Sequence, residues 1–219
     1  LNMKVVILGA GESGVGAALL GIEKAYDVFV SDGSKIADHY RNELIAENID
    51  FEEEKHSFDR ISQANVIVKS PGIPDHLPLI EKLSKLNIEI ISEIEFAYRF
   101  CKKRIIAITG SNGKTTTTAL VHHLIKESHL TSKIGGNYGV AFARLLLEEN
   151  EPDVYVLEIS SFQLDGIKTF KPDISIILNI TPDHLDRYDY KMENYVASKF
   201  RIRNVVWLVQ RLPEASRRI

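Results

Sequence analysis

Apolar residues along this chain gather into short β-rich runs, and the stretches between them carry helical spacing. Runs at 4–8, 28–31, around Phe51, at 66–68, 89–91, 105–108, just before Gly135, at 154–157 and at 174–178 predict strands. Most of these run apolar on both faces, as in buried parallel strands, rather than alternating. Between them, a helix follows the first strand through Ala17, Leu20 and Ile22, and 35–47 is a second helical stretch. Residues 92–101, with Ile94, Phe96, Ala97 and Phe100 apolar, read as a helix. Residues 115–126 do the same through Ala119, Leu120 and Leu124, and 140–149 is a fifth helix. Strand–helix alternation of this kind predicts an α/β class with parallel sheets. At ~100–200 residues per domain, 219 residues suit two domains, with a first over 1–92 and a second over 93–219.

The strand at 105–108 leads into TGSNGKTTTT and then a helix. Unpaired N–H groups and the dipole at that helix start favour an anion, and Gly110 and Gly113 let the backbone close around phosphate oxygens. Ser111, Asn112 and Thr116 complete the loop; Lys114 is placed to reach the β and γ phosphates, and Thr115 to hold the Mg²⁺ that accompanies ATP. The loop is a variant, because Ile108 stands where the common pattern has its first glycine. A plain glycine turn with an exposed lysine would give the same letters.

The strand at 4–8 also ends on glycines. GAGESG gives Gly9, Gly11 and Gly14 dinucleotide-fingerprint spacing, and Asp32 closes the next strand where an acid meets a ribose in such folds. Two readings stay open on these residues: a bound nucleotide, with an NAD-type oxidoreductase or redox sensor domain as one form of it, and glycines that only allow close helix packing. The strand at 66–68 ends at SPGIP, so Ser70, Pro71 and Gly72 sit at a sheet's carboxyl edge, where such folds bind ligands; the same residues also suit a simple turn. Glu52 to Lys55 read as a solvated acidic surface, and His56 and His76 as isolated exposed histidines.

Composition narrows the partners. A formal net charge of −3 offers no basic face for nucleic acid. Cys101 is the single cysteine, which excludes an internal disulfide and fits a reducing, cytoplasmic setting. Neither a leading signal sequence nor an apolar run of membrane-spanning length is read, and no membrane partner is expected. A monomer is expected.

In the second half, GGNYG offers Asn137, the strand at 154–157 ends on Glu158 and continues ISSFQLD, and the strand at 174–178 runs into NITPDHLDRY. A carboxylate at a strand end beside a phosphate loop is where a Mg²⁺ or water contact is needed. His184 is equally suited to ligand duty and to plain surface exposure. GSNGKTT, GGN, EISSFQL, NITPDHLDRY and ASKFR, in this order and spacing from Lys4 to about Arg203, resemble the Mur ligases of peptidoglycan synthesis, most closely the D-glutamate-adding branch. The resemblance implies an amino-terminal Rossmann-like domain followed by an incomplete P-loop ATPase domain. It implies an ATP-dependent amide ligase joining D-glutamate to UDP-N-acetylmuramoyl-L-alanine through an acyl phosphate, and a P-loop NTPase without ligation is the alternative for the second half. It assigns Lys114, Glu158, His184 and Lys199 to catalysis, and Thr115, Glu158, His184 and a carbamylated Lys199 to metal. It places Ser13 near the substrate diphosphate, Asp32, Gly33 and Ser34 near the uridine, and Ser70, Pro71, Gly72, Asn137 and Ser160 along the path to the reacting carboxylate. Glu12 would face that diphosphate unless its side chain turns away. The resemblance ends at about 204. A chain end, a shifted reading frame and a divergent tail each account for that, and a missing third domain with an unpaired sheet edge is expected.

Overall fold

The computed structural model describes residues 3–202 and the strand backbone of 205–208. Two five-stranded, all-parallel sheets follow one another along the chain. The first contains β1 (Lys4–Leu8), β2 (Asp27–Ser31), β3 (Asp50–Glu52), β4 (Val66–Lys69) and β5 (Glu89–Ile91), in the order β3-β2-β1-β4-β5. Its helices are α1 (Glu12–Glu23), α2 (Asp38–Ala46), α3 (Phe58–Ile61) and α4 (Pro78–Ser84). Chain order reverses beside β1, so a crevice opens at the carboxyl ends of β1 and β4, which is where such sheets take ligands.

Helix α5 (Glu93–Tyr98) leads into the second sheet, with Ser92 as its N-cap. There β6 (Arg104–Thr109), β7 (Ser132–Gly136), β8 (Val154–Glu158), β9 (Ile174–Ile177) and β10 (Val205–Leu208) take the order β10-β9-β6-β8-β7. The accompanying helices are α6 (Lys114–Lys126), α7 (Phe142–Leu145), α8 (Ser161–Asp165) and α9 (Met192–Phe200), with a 3₁₀ turn at Leu185–Tyr188. Of the tail expected to diverge from about 204, the backbone of Val205–Leu208 pairs with β9, and the rest lies outside the described residues.

One apolar core runs through both sheets. Val5, Ile7, Val30 and Val68 join Ile105, Ala107, Tyr155 and Leu157 through α1, α5 and α7, whose Ile94, Phe96, Ala97, Phe142 and Leu145 are all buried. The fit on α1 is close: a Cβ on Gly16 would stand 3.0 Å from Arg144 Cγ and 3.2 Å from Ala141 Cβ. No described helix is long and apolar enough to cross a membrane.

Four expectations need correction. The helix at 140–149 is the single turn α7, because Ala141 is extended and 146–150 leaves helical geometry. Helix α6 does not bury Ala119, Leu120 and Leu124; Leu120 and Leu124 are 53% and 59% exposed. Its inner stripe is Thr118, Val121 and Ile125, packed against Ile108, Val154 and Val156. Thr118 fits there because its hydroxyl bonds the Lys114 carbonyl at 2.8 Å. Glu52 belongs to no solvated surface; it is buried and accepts bonds from Ser31 and Ser57. Nor is His56 isolated, since it is half-buried with Nδ1 on the Ser31 hydroxyl.

Candidate functional site

The phosphate loop grows out of β6, the central strand of the second sheet. Gly113, the N-cap of α6, has φ +82°, a left-handed value that disfavours other residues. Residues 178–181 after β9 fold over the loop: Asn179 accepts from Ser111 N through its carbonyl and from Asn112 N through its side chain, both at 2.9 Å. The Ser111 hydroxyl bonds Thr181 O at 2.9 Å and lies 3.0 Å from the Tyr195 hydroxyl. Lys114 Nζ donates to the carbonyls of Gly110 and Ser111, each at 3.0 Å, so its ammonium lies across the loop. Thr116 is exposed one residue beyond Thr115.

Glu158 closes β8 alongside. Its Oε2 accepts from the Thr115 hydroxyl at 2.7 Å and its Oε1 from the Asn137 amide at 2.8 Å, while its carbonyl accepts from Asn137 N. One hydroxyl and one carboxylate at a phosphate loop make a partial ligand set, suited to Mg²⁺, which takes one or two carboxylates and completes its shell with water and phosphate oxygens. Among the described residues no cluster of three or more His, Cys, Asp or Glu forms an all-protein cage. The residues present therefore fit a magnesium–nucleotide pair better than a resident metal.

A cavity of about 110 Å³ brings together Lys114, Asn137, Ser160, His184 and Lys199, with Phe162, Asp183 and Tyr195 completing its wall. Lys199 is the unusual member. It is 2% exposed, donates to Gly110 O at 3.0 Å, and sits 4.6 Å from the Tyr195 ring centre. Burial, reinforced by the Lys114 ammonium, lowers its pKa to about 8. At pH 7 roughly one such lysine in ten is then neutral, against one in a few thousand for a free side chain. His184 is held in a left-handed conformation (φ +50°) beside Phe162, its Nε2 3.6 Å from Asp183. Ser160 caps α8 in a reciprocal arrangement with Gln163.

The residues proposed for the nucleotide of the substrate form a separate group at the first sheet. The carboxylate of Asp32 accepts from Ala10 N at 2.7 Å and from Ser34 N at 2.8 Å, tying the glycine turn to the end of β2; Gly33 and Ser34 are exposed next to it. Ser13 lies in the first turn of α1. Of the three glycines, Gly14 serves packing, since a Cβ there would overlap Gly9 O, while Gly11, the N-cap of α1, has an ordinary φ of −86° and open space where a Cβ would stand. Ser70 leans on Gly9 O at 3.4 Å. Pro71 and Gly72 offer their carbonyls to Arg187, which also lies over Phe162 at 4.5 Å and so links the two groups.

The sequence reading missed Asn179, Asp183, Tyr195 and Arg187. Three of these sit inside quoted motifs, and Arg187 had the clearest signal, as a lone cation in an acidic turn. Glu12 points away from the turn: its Oε1 accepts from Ala141 N at 3.0 Å and lies 3.2 Å from Arg144 Nε.

Fold and site together define a protein with a Rossmann-like sheet followed by a P-loop sheet. Residues 3–92 match the N-terminal domain of the MurD-like Mur ligases, and residues 108–206 match the Mur ligase middle domain. The chain belongs to the Mur ligase family. The UDP-N-acetylmuramoylalanine–D-glutamate ligases of Christiangramia forsetii and Bacteroides fragilis are 56% and 51% identical to it over 202 and 199 residues, 92% and 91% of this chain. The chain spans about half the length of these curated relatives, 45% in each case. Among solved structures, the UDP-N-acetylmuramate–alanine ligase MurC of Thermotoga maritima superposes with a TM-score of 0.58 at 25% identity, over 94% of this chain and 48% of that one.

Proposed function

We propose that this chain supplies the UDP-substrate and ATP-phosphate halves of a ligase that adds D-glutamate to UDP-N-acetylmuramoyl-L-alanine. The observation that carries the reading is the cavity joining Lys114, Asn137, Ser160, His184 and Lys199 next to the Thr115–Glu158 pair. Residues 1–92 form the domain for the UDP substrate, and residues from 93 onward belong to the ATP domain. Both work in the cytoplasm, in a monomer.

ATP passes its γ-phosphoryl group to the substrate carboxylate and leaves as ADP, and the amino group of D-glutamate attacks the resulting acyl phosphate, forming the amide and releasing phosphate and a proton. Catalysis of such transfers is mostly positioning and charge neutralisation. Lys114 leaves the Gly110 and Ser111 carbonyls for the β and γ phosphates, while the loop N–H groups of 110–116 hold their oxygens. Thr115 and Glu158 would hold one Mg²⁺, and His184 with Lys199 a second; bound there, the ions neutralise charge as phosphate transfers. Lys199 serves as a carbamate, which its lowered pKa favours by raising the neutral amine that captures CO₂. Ser13, Asp32, Gly33 and Ser34 hold the nucleotide, and Ser70, Pro71 and Gly72 the segment leading to the cavity.

Calorimetric titration of this chain with UDP-N-acetylmuramoyl-L-alanine and with NAD tests the first half: binding of the former is expected, and a preference for NAD overturns it. For Lys199, ¹³C-bicarbonate should give a carbamate carbonyl resonance that Lys199→Ala removes. A spectrum without that resonance at saturating bicarbonate rejects the carbamate.

A further inference from the structure

At the end of β2 a three-residue chain of hydrogen bonds sets the tautomer of one imidazole. Ser31 is fully buried, with its hydroxyl 2.8 Å from Glu52 Oε1 and 2.7 Å from His56 Nδ1. Glu52 also accepts from Ser57 N at 2.7 Å and from the Ser57 hydroxyl. Burial alone would raise the Glu52 pKa, but these donors outweigh it and the net shift is downward, so the side chain is a carboxylate that only accepts. Ser31 has a single proton and directs it to Glu52. The bond to His56 must then run the other way, with Nδ1–H donating to the Ser31 oxygen, and in that tautomer the lone pair sits on Nε2.

That lone pair has no protein partner among the described residues. It lies against Gly33, where a Cβ would stand 3.0 Å from Nε2 and the ring would have to give by a few tenths of an ångström. Gly33 directly follows Asp32, at the strand end where this fold meets the sugar of a bound nucleotide. An unpartnered ring nitrogen beside that strand end suits a base that presents a ring N–H.

We propose that His56 Nε2 accepts the N3–H of the substrate's uracil and is a determinant of uridine over cytidine. The inference rests on the UDP-substrate reading above and assigns the base contact within it. Cytosine carries a lone pair at N3, so the same site would face acceptor with acceptor, and sites built around a required donor reject ligands that lack it.

Titration calorimetry of this chain with UDP, CDP and N3-methyl-UDP tests the assignment, each run on the unsubstituted chain and on His56→Phe, which keeps a ring but no acceptor. The unsubstituted chain should bind UDP about five- to ten-fold more tightly than either analogue, the worth of one neutral hydrogen bond. In His56→Phe that preference should collapse towards unity, with the loss falling on UDP alone. An unchanged preference in His56→Phe overturns the role of His56 while leaving the substrate reading intact. Equal binding of UDP and N3-methyl-UDP by the unsubstituted chain also overturns it, and needs no variant to fold. Failure of the unsubstituted chain to bind UDP removes the substrate reading, and this inference with it.

Discussion

At the scale of the residue, Lys199 has the largest consequence. Its pKa falls from 10.5 to about 8 because burial penalises the charge and Lys114 repels it. Between those values the unfolded chain holds the proton more tightly than the folded one, so this group's cost to stability is full below pH 8 and is relieved as pH climbs towards 10.5. The cost is on the order of 3 kcal/mol. Lys199→Met should therefore raise the melting temperature in bicarbonate-free buffer at pH 7 and flatten the rise in stability above pH 8, both readable by differential scanning calorimetry. Thr115 tests the metal assignment. Thr115→Val removes the donor to Glu158 Oε2 and should weaken magnesium–ATP binding by about ten-fold or more in calorimetry, with magnesium-free ATP little affected, since the loop N–H groups remain. Lys114 is legible in the sequence because it stands in a phosphate-loop pattern at the start of α6, and Glu158 because it closes a strand. Lys199 is legible only through a motif resemblance, as its burial arises when α9 docks on α8 and no local signal records that.

At the scale of the element, the join between α5 and the segment after α8 rests on one carboxylate. Glu95 is fully buried and accepts from the N–H groups of Lys168, Thr169 and Phe170 at 2.8–2.9 Å, from the Thr169 hydroxyl at 2.7 Å, and from Arg99 Nε at 3.2 Å. Burial works to raise its pKa, but the donors prevail and hold it below the usual carboxylate range. The stability it contributes is present above the unfolded carboxyl pKa and is lost as pH falls through the folded one. Glu95→Ala should cost about 3 kcal/mol in urea denaturation at pH 7, because three N–H groups, that of Phe170 buried, lose their acceptor together, and the difference should narrow at acid pH. Strands were easier to read than helices for a related reason. Each buried strand is a short apolar run whatever surrounds it, whereas α3, α7 and α8 are four or five residues long, too short to display a 3.6-residue period. Helix α6 shows the opposite difficulty. It has two apolar stripes, and which faces inward is decided by the loop that aims the helix.

At the scale of the whole molecule, α7 is where the two sheets meet. Its start receives Glu12 from the first glycine turn, through Ala141 N, and Glu93 from α5, through Ala143 N at 2.6 Å. Arg144 pairs in turn with Glu12 and Glu43, the latter at 2.7 Å. Glu93 is 1% exposed and its second oxygen is buried without a partner. Burial raises its pKa to about 7, the Ala143 N–H opposes that, and Glu12 adds to it. A raised carboxyl pKa means that the folded chain binds the proton more tightly. Stability from this group is full below 4.5 and declines as pH rises to about 7, by roughly 3 kcal/mol. Glu93→Gln keeps an acceptor for Ala143 N and should flatten that decline in melting curves taken from pH 4.5 to 7.5. None of this junction was legible, since Glu12 and Glu93 reach it across 129 and 50 residues.

The order of strands in the second sheet also sets when the phosphate loop comes into being. Strand β6 lies between β8 and β9, both of which follow it along the chain, and the loop above it is closed by Asn179 and Thr181. Every strand of the first sheet, by contrast, has been made by Ile91. During synthesis the first sheet has all its strands before β6 has a single neighbour. A nascent chain that has reached Lys126 thus carries the complete sequence of the loop and none of the walls that give it a shape.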